Sequence, residues 1–363
     1  MSAMTLLRDT VKASLIERDE AVDMVLLGIL SRQHVLFVGP PGTAKSLLAD
    51  NFFAAIDGAV TFSALMHKFV PPEETQGPLK LSELKNDKYE RNTKGYLPEA
   101  ELAFLDEIWK SSPAILNTLL RLLNERTFRN GTVTSTTPLR SAVAASNEYP
   151  IGDSFATTGA LFDRFLIRSD IKPVSQGRWS DLVFGEFPKV LPATTMAQLD
   201  TAAAAVPLMP WSLDARKAYM DIASAVLSEG IKFGDRRLRA SARVCQASAV
   251  MNGNEQVTVG DLEPLKWTLW VHPDQQGEVC KIVTKIANPG GQEVLEIMAD
   301  ADELFANCKK DGEEKTFEAL KKIQLSIVKL DDLVAKGNQQ AIAAHKSIKD
   351  RLGTLSREVF GLA

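Results

Sequence analysis

The apolar run His34-Val35-Leu36-Phe37-Val38 breaks into Gly39-Pro40-Pro41-Gly42-Thr43-Ala44-Lys45-Ser46 and resumes as Leu47-Leu48-Ala49. A buried strand that feeds a glycine-rich turn and restarts as a helix leaves its backbone few shapes. The turn points consecutive N–H groups inward at a helix start, where the peptide dipoles favour an anion. Phosphate oxygens suit that cradle, which we take as residues 39–47 with Leu47 closing it. Lys45 supplies a point charge for β- and γ-phosphates, and the Ser46 hydroxyl is placed to ligate Mg²⁺. ATP and Mg²⁺ are therefore the expected cofactors. The usual pattern has Gly immediately before the Lys. Ala44 fills that position here, and it is expected to be accommodated with its backbone at negative φ.

The 363 residues are too many for one ordinary core and imply two or three domains. A net charge of −4 gives no reason to expect nucleic-acid binding driven by bulk electrostatics. Cys245, Cys280 and Cys308 are odd in number, far apart and in no CxxC pair, which fits a reducing, cytoplasmic setting. The four His residues form no metal-ligand spacing. The first residues carry an amphipathic stripe, Met4-Leu7-Val11-Leu15, in place of a leader, and no apolar run approaches the ~20 residues that span a bilayer. No membrane insertion is expected.

Apolar spacing predicts helices near 4–16 and 19–31, the second with one face of Val22, Val25, Leu26, Ile29 and Leu30. A strand near 60–62 leads to Pro71-Pro72, where regular structure should end. Residues 78–97 are read as a hairpin turning at Asn86-Asp87, with arms near Leu79–Leu84 and Tyr89–Arg91. Leu102–Leu105 and Ser141–Ala145 read as strands buried on both faces, and 113–126 as a helix starting at Pro113. Asn130-Gly131 marks a second hairpin. Alternating buried strands and helices imply an α/β fold with a parallel sheet. From about 189 the pattern turns helical. After Pro273 it is wholly so, with two helices of about 23 residues expected to fold back at Gly337. The expected domains are a nucleotide-binding core (1–188), a helical lid (189–275) and a C-terminal helical section (276–363).

The strand 102–105 ends in Asp106-Glu107. Two acids delivered beside a phosphate cradle form the second half of an ATPase site: Asp106 for Mg²⁺, Glu107 to orient or deprotonate the attacking water. Asn147 follows the strand 142–145, at the strand end where parallel sheets bind ligands, and could position that water. Arg164, flanked by Phe162 and Phe165, offers a guanidinium fork for phosphate, with Arg168 as its competitor. In the lid, Arg236 or Arg237 at a helix start is placed to sense the γ-phosphate.

Together, residues 39–46, 102–107, 146–147, 161–165 and 234–238 resemble the AAA+ ATPases, and more narrowly the MoxR group, whose cradle commonly has this Ala before Lys. The stretches Phe69–Glu74, Gly95–Glu101, Phe104–Lys110 and Ala114–Leu120 are similar to the RavA subfamily. The resemblance covers about residues 1–275. It implies an AAA+ αβα P-loop core with a helical lid, assembled into a homo-oligomeric ring, usually a hexamer, with ATP at each junction. On it Arg164 is the finger reaching the neighbour's ATP, Asn147 the first sensor and Arg236 the second. The segment 78–97 and the hairpin at Asn130-Gly131 would face the ring pore or a partner. It further implies chaperone-like remodelling of a protein client beside a von Willebrand factor A domain partner. RavA-like proteins carry a β-rich insertion in their helical section, and no run of short strands suggests one here. An ATP-gated assembly scaffold with little turnover is the alternative reading.

Overall fold

The computed structural model describes residues 3–150, 153–308, 313–335, 341, 344–349 and 351–352. Helices α1 (Ala3–Ala13) and α2 (Asp19–Ser31) come first, and Leu7 and Val11 of the expected stripe are buried. α2 is enclosed on more than the one expected face, every residue from Met24 to Ser31 being buried, because sheet strands pack on one side and lid helices on another. β1 (Val35–Val38) is buried throughout and runs through the glycine turn into α3 (Lys45–Ala54).

Then follow β2 (Ile56–Asp57), β3 (Thr61–Leu65), the short helices α4 (Pro72–Gln76) and α5 (Leu81–Leu84), β4 (Leu102–Asp106) and α6 (Pro113–Glu125). After them come β5 (Thr127–Asn130), β6 (Val133–Thr136), β7 (Ser141–Ser146), α7 (Asp153–Phe162) and β8 (Ile167–Asp170). Five of these strands make one parallel sheet in the order β3-β4-β7-β1-β8. Its C-terminal edge therefore collects the turn after β1, the acids after β4 and Asn147 after β7.

Three local expectations need correction. Pro71-Pro72 does not end regular structure: Pro72 opens α4, at the first helical position where a missing N–H costs nothing. Residues 78–97 hold only one antiparallel bridge, Leu79 with Arg91. Leu81–Leu84 winds into a helical turn because, with no neighbouring strand to pair with, its backbone bonds locally, Leu84 N–H to Lys80 O at 3.0 Å. The second hairpin forms, but its turn is Gly131-Thr132. Asn130 stays in the strand and pairs with Val133, its side chain exchanging hydrogen bonds with the Arg91 backbone at 2.7 and 3.0 Å.

Beyond the sheet lie α8 (Trp179–Phe184), β9 (Thr194–Thr195), α9 (Met196–Ala205), α10 (Leu213–Ser228) and α11 (Asp235–Asn252). β9 pairs with β2, and α9 and α11 pack on α2. One apolar cluster takes in Leu30, Phe37, Phe52, Leu199, Val244 and Trp267, so α9 and α11 share the core of the sheet. Met1–Val279 clusters as a single compact unit.

Cys280–Ala363 makes the second unit. This part of the chain includes α12 (Gln276–Ala287), α13 (Pro289–Cys308) and α14 (Glu313–Ala335), the last with the 23 residues that its spacing predicted. Leu320, Ile323 and Leu330 close on Val294, Ile297 and Ala301, and Ala341, Ala344 and Ile348 join them. The expected reversal at Gly337 lies outside the described residues. Among the described residues no helix is long and apolar enough to cross a membrane.

Candidate nucleotide site

Gly39 must be glycine: a Cβ there would sit 2.1 Å from the Ile171 carbonyl oxygen. Gly42 turns at φ 78°, and Ala44 follows it into the left-handed region at φ 64°, ψ 27°. The negative φ expected for Ala44 is thus overturned. The turn must aim its N–H groups at one point, and a left-handed residue just before the helix does this whatever the side chain. Thr43 Oγ1 donates to Pro40 O at 2.8 Å and ties the loop to itself, while Leu47 stands half-exposed beside Ser46. Lys45 Nζ donates to Gly39 O, Pro40 O and Asn147 Oδ1 at 2.6, 2.9 and 3.1 Å. Burial pulls the Lys45 ammonium below its ordinary range, and Asp106 and Glu107 pull it partly back.

The acids meet this cradle directly. Ser46 Oγ donates to Asp106 Oδ2 at 3.0 Å, and Asp106 Oδ1 accepts the Glu107 N–H at 2.9 Å. Glu107 itself is left-handed, φ 51°, which turns its side chain away from the strand path. Asn147 Nδ2 donates to Glu107 Oε1, and Lys110 Nζ stands 3.2 Å from the same oxygen. Glu107 Oε2 is enclosed with no hydrogen-bond partner. These residues fit Mg²⁺ and ATP: one hydroxyl and one carboxylate suit a cation that keeps most of its ligands as water and phosphate, and a buried carboxylate oxygen lacks only a water. Among the described residues no cluster of three or more His, Cys, Asp or Glu competes as a metal site.

Two contributors escaped the sequence reading. Arg18, buried at the start of α2, donates through Nε to Thr43 O at 3.1 Å and through Nη2 to Lys172 O at 2.9 Å, bracing the turn from behind. Lys110 could have been suspected from its place in the stretch Phe104–Lys110. Arg18 carried no local signal.

The arginines lie elsewhere. Val35 of β1 pairs in register with Ile167 of β8, so Arg164, three residues earlier, belongs to the N-terminal edge of the sheet. The cradle leaves the opposite edge, about 13 Å away across a four-residue strand. Arg164 Nε is enclosed and without a partner. Its competitor Arg168 is fully buried, the guanidinium 4.4 Å from the Phe162 ring and 4.2 Å from that of Trp270, with Nη2 donating to Trp270 O. Burial, and then Arg237, push its pKa well below the usual value. A side chain sealed in this way reaches no phosphate.

Arg237 is likewise withdrawn from the cofactor role expected of it. It is buried, donating to Thr268 O at 2.8 Å and Asp163 Oδ1 at 2.6 Å. Burial lowers its pKa and Asp163 offsets part of the fall. Arg236 is exposed and lines a cavity of about 840 Å³ with Arg32, Gln33, Arg239 and Arg243. Because Arg32 and Gln33 precede β1, this cavity is at the N-terminal edge, and Arg236 does not overlook its own chain's cradle as a lid sensor would.

A family model described as the MoxR domain in the MoxR-vWA-beta-propeller ternary systems matches residues 2–202, and one described as an AAA lid domain matches 217–283. Two uncharacterized proteins of Methanocaldococcus jannaschii are 33% and 32% identical over 315 and 313 residues, covering 85% and 86% of this chain and 82% and 80% of theirs. Chaperone MoxR1 of Mycobacterium tuberculosis is 27% identical over 44% of this chain and 42% of its own. The crystal structure of a protein from Cytophaga hutchinsonii, provisionally named an ATPase, superposes with TM-score 0.62 at 17% identity, over 78% of this chain and 93% of that one. At that identity the likeness speaks for the fold alone.

Proposed function

Since this chain belongs to the MoxR family of AAA+ ATPases, we propose that it hydrolyses Mg·ATP at junctions between copies of itself in a ring, of the hexameric kind usual for the family. Lys45 and the turn N–H groups would hold the phosphates, and Ser46 and Asp106 the cation, which when bound would offset charge on the β- and γ-phosphates. Glu107 takes the proton of the attacking water, and Asn147 holds its carboxylate in place. Arg164 of the next copy completes the site. One observation carries this reading: the strand register puts Arg164 at the edge of the sheet away from its own cradle, so the two groups serve one phosphate only across two chains.

The output is remodelling or activation of a protein client alongside a von Willebrand factor A domain protein, in keeping with the family description and with the stretches similar to the RavA subfamily. The segment 78–97, with Leu81 and Tyr89 exposed, is the proposed client or pore face. The free thiols Cys245 and Cys280 suit a reducing cytoplasm.

Arg164→Ala should lower turnover by ~10³-fold or more while leaving ATP affinity nearly unchanged. Mixed with a Lys45→Ala copy it should regain part of the activity, because some junctions then pair an intact cradle with an intact arginine. No recovery on mixing refutes a site shared between chains. Turnover that survives Glu107→Gln refutes the role given to that carboxylate, whose loss should cost ~10²–10⁴-fold.

A further inference from the structure

Between β8 and β9 the chain runs over the outside of the protein as a strap. Trp179, Leu182, Val183, Phe184, Phe187 and Leu191 are 45 to 82% exposed along it. From 176 to 191 its hydrogen bonds are local: Trp179 Nε1 to Val174 O at 3.1 Å, Gly185 N–H to Asp181 O at 2.9 Å, and Arg178 paired with Asp181. A six-residue helix such as α8 is not stable by itself in water. With about half of each large side chain uncovered, the strap presents on the order of 600 Å² of apolar surface. That is at the upper end of what a monomer leaves bare and near the ~800 Å² that each partner gives to a standard interface.

A second bare stripe lies on the lid. Leu213, Met220 and Leu227 recur every seventh residue on α10 and are 82, 56 and 49% exposed, with Leu208 just before them. Seven-residue spacing keeps them on one line of the helix, and the inward face is occupied by Ala215, Tyr219, Ile222 and Val226.

The two surfaces begin at opposite edges of the sheet, and the strap runs on from its edge to the end of α3, where the Ala193 N–H donates to Ala55 O at 2.8 Å. The strap is anchored at the cradle edge, where Ser175 donates to the Glu17 carboxylate and Arg18 holds both Lys172 O and Thr43 O. α10 follows residues 206–208, and Val206 and Pro207 line the cavity beside Arg32 and Gln33 at the other edge. Within one chain both patches stay bare. We propose that the strap at 179–191 is covered by the Leu213–Leu227 stripe of a second copy of this chain, in a head-to-tail contact. Two different patches that join head to tail repeat until they close a ring. The inference rests on the site being shared between copies, and its polarity agrees: the edge that offers the cradle meets the edge that offers Arg164.

The test uses the full chain with Mg·ATP, sedimentation velocity, turnover, and binding of a fluorescent ATP analogue as the check on folding. Phe184→Asp and Met220→Asp should each raise the concentration for half-assembly by about tenfold or more, as loss of a central apolar anchor does, and lower turnover while analogue binding persists. Phe184→Leu should assemble as the wild type. Mixed in equal amounts, the two Asp variants have one intact strap and one intact stripe per pair, so they should form dimers and stop there. Variants that assemble like the wild type overturn the contact, and so does a mixture that stays monomeric. If Arg164→Ala and Lys45→Ala copies still rescue each other while the strap variants assemble normally, the contact fails and the shared site stands. A monomeric wild type that hydrolyses ATP removes both.

Discussion

Ala44 sits at φ 64°, ψ 27°, at the last residue before α3. In that region the Cβ crowds the following carbonyl oxygen, at a cost of roughly 1–2 kcal/mol that glycine escapes. Glycine also gives the unfolded chain more freedom, which takes back ~0.4–1 kcal/mol. Ala44→Gly should therefore stabilise the nucleotide-free protein by about 0.5–1 kcal/mol. For a unit of this size each kcal/mol moves the thermal midpoint by about 2–4 °C, so a rise of ~1–4 °C is expected. Ala44→Val should go the other way, since a β-branched residue is worse placed at positive φ. Thermal unfolding and urea midpoints, both without nucleotide, decide the matter. A lower midpoint for the Gly variant, or a higher one for the Val variant, would refute the left-handed assignment and restore the negative φ that the sequence suggested.

His34 is buried, accepting the Ala142 N–H on Nδ1 at 2.9 Å and facing Leu123 O with Nε2 at 2.9 Å. Burial, then Arg126, hold its pKa well below the ordinary 6.5. The unfolded chain thus takes up the proton first, so His34 supports the fold above about pH 6.5 and loses that support as pH falls further, by up to ~1.4 kcal/mol per pH unit. His34→Gln should flatten the fall in urea midpoint between pH 7 and 5, and equal slopes would contradict this. Asp163→Asn removes the charge facing buried Arg237; with Asp163 about half-exposed, a loss of about 1–2 kcal/mol is expected in urea unfolding. No change would mean that Thr268 O suffices to hold the guanidinium.

The grouping of residues at the C-terminal edge was legible because it is local. Strand, turn and helix are written consecutively at 34–49, and Asp106-Glu107 closes a run with no polar residue. The 23-residue span of α14 was legible for the same reason: its apolar residues keep one period. What the sequence hid depends on partners far along the chain. Arg18 matters through Lys172, 154 residues on, and no periodicity connects them. The left-handed state of Ala44 is set by the turn's task rather than by alanine's preference. The settings of Arg168 and Arg236 were hidden, because sequence shows neither which edge of the sheet a residue occupies nor that Phe162 and Trp270 enclose one of them. The hairpin expected at 78–97 failed for want of a neighbouring strand, a fact about the sheet that the segment itself does not contain.

The seam between sheet and lid has a mechanical consequence. Arg168 is clamped between rings contributed by both sides, Asp163 grips Arg237 across the same boundary, and α2 lends its flanks to both. A joint so filled behaves as a weld. On the proposed hydrolysis at Glu107, the work would then leave through the loops at the rim or through a shift of whole copies against each other, and substitutions that loosen Trp270 would drain that work into idle flexing instead of delivering it.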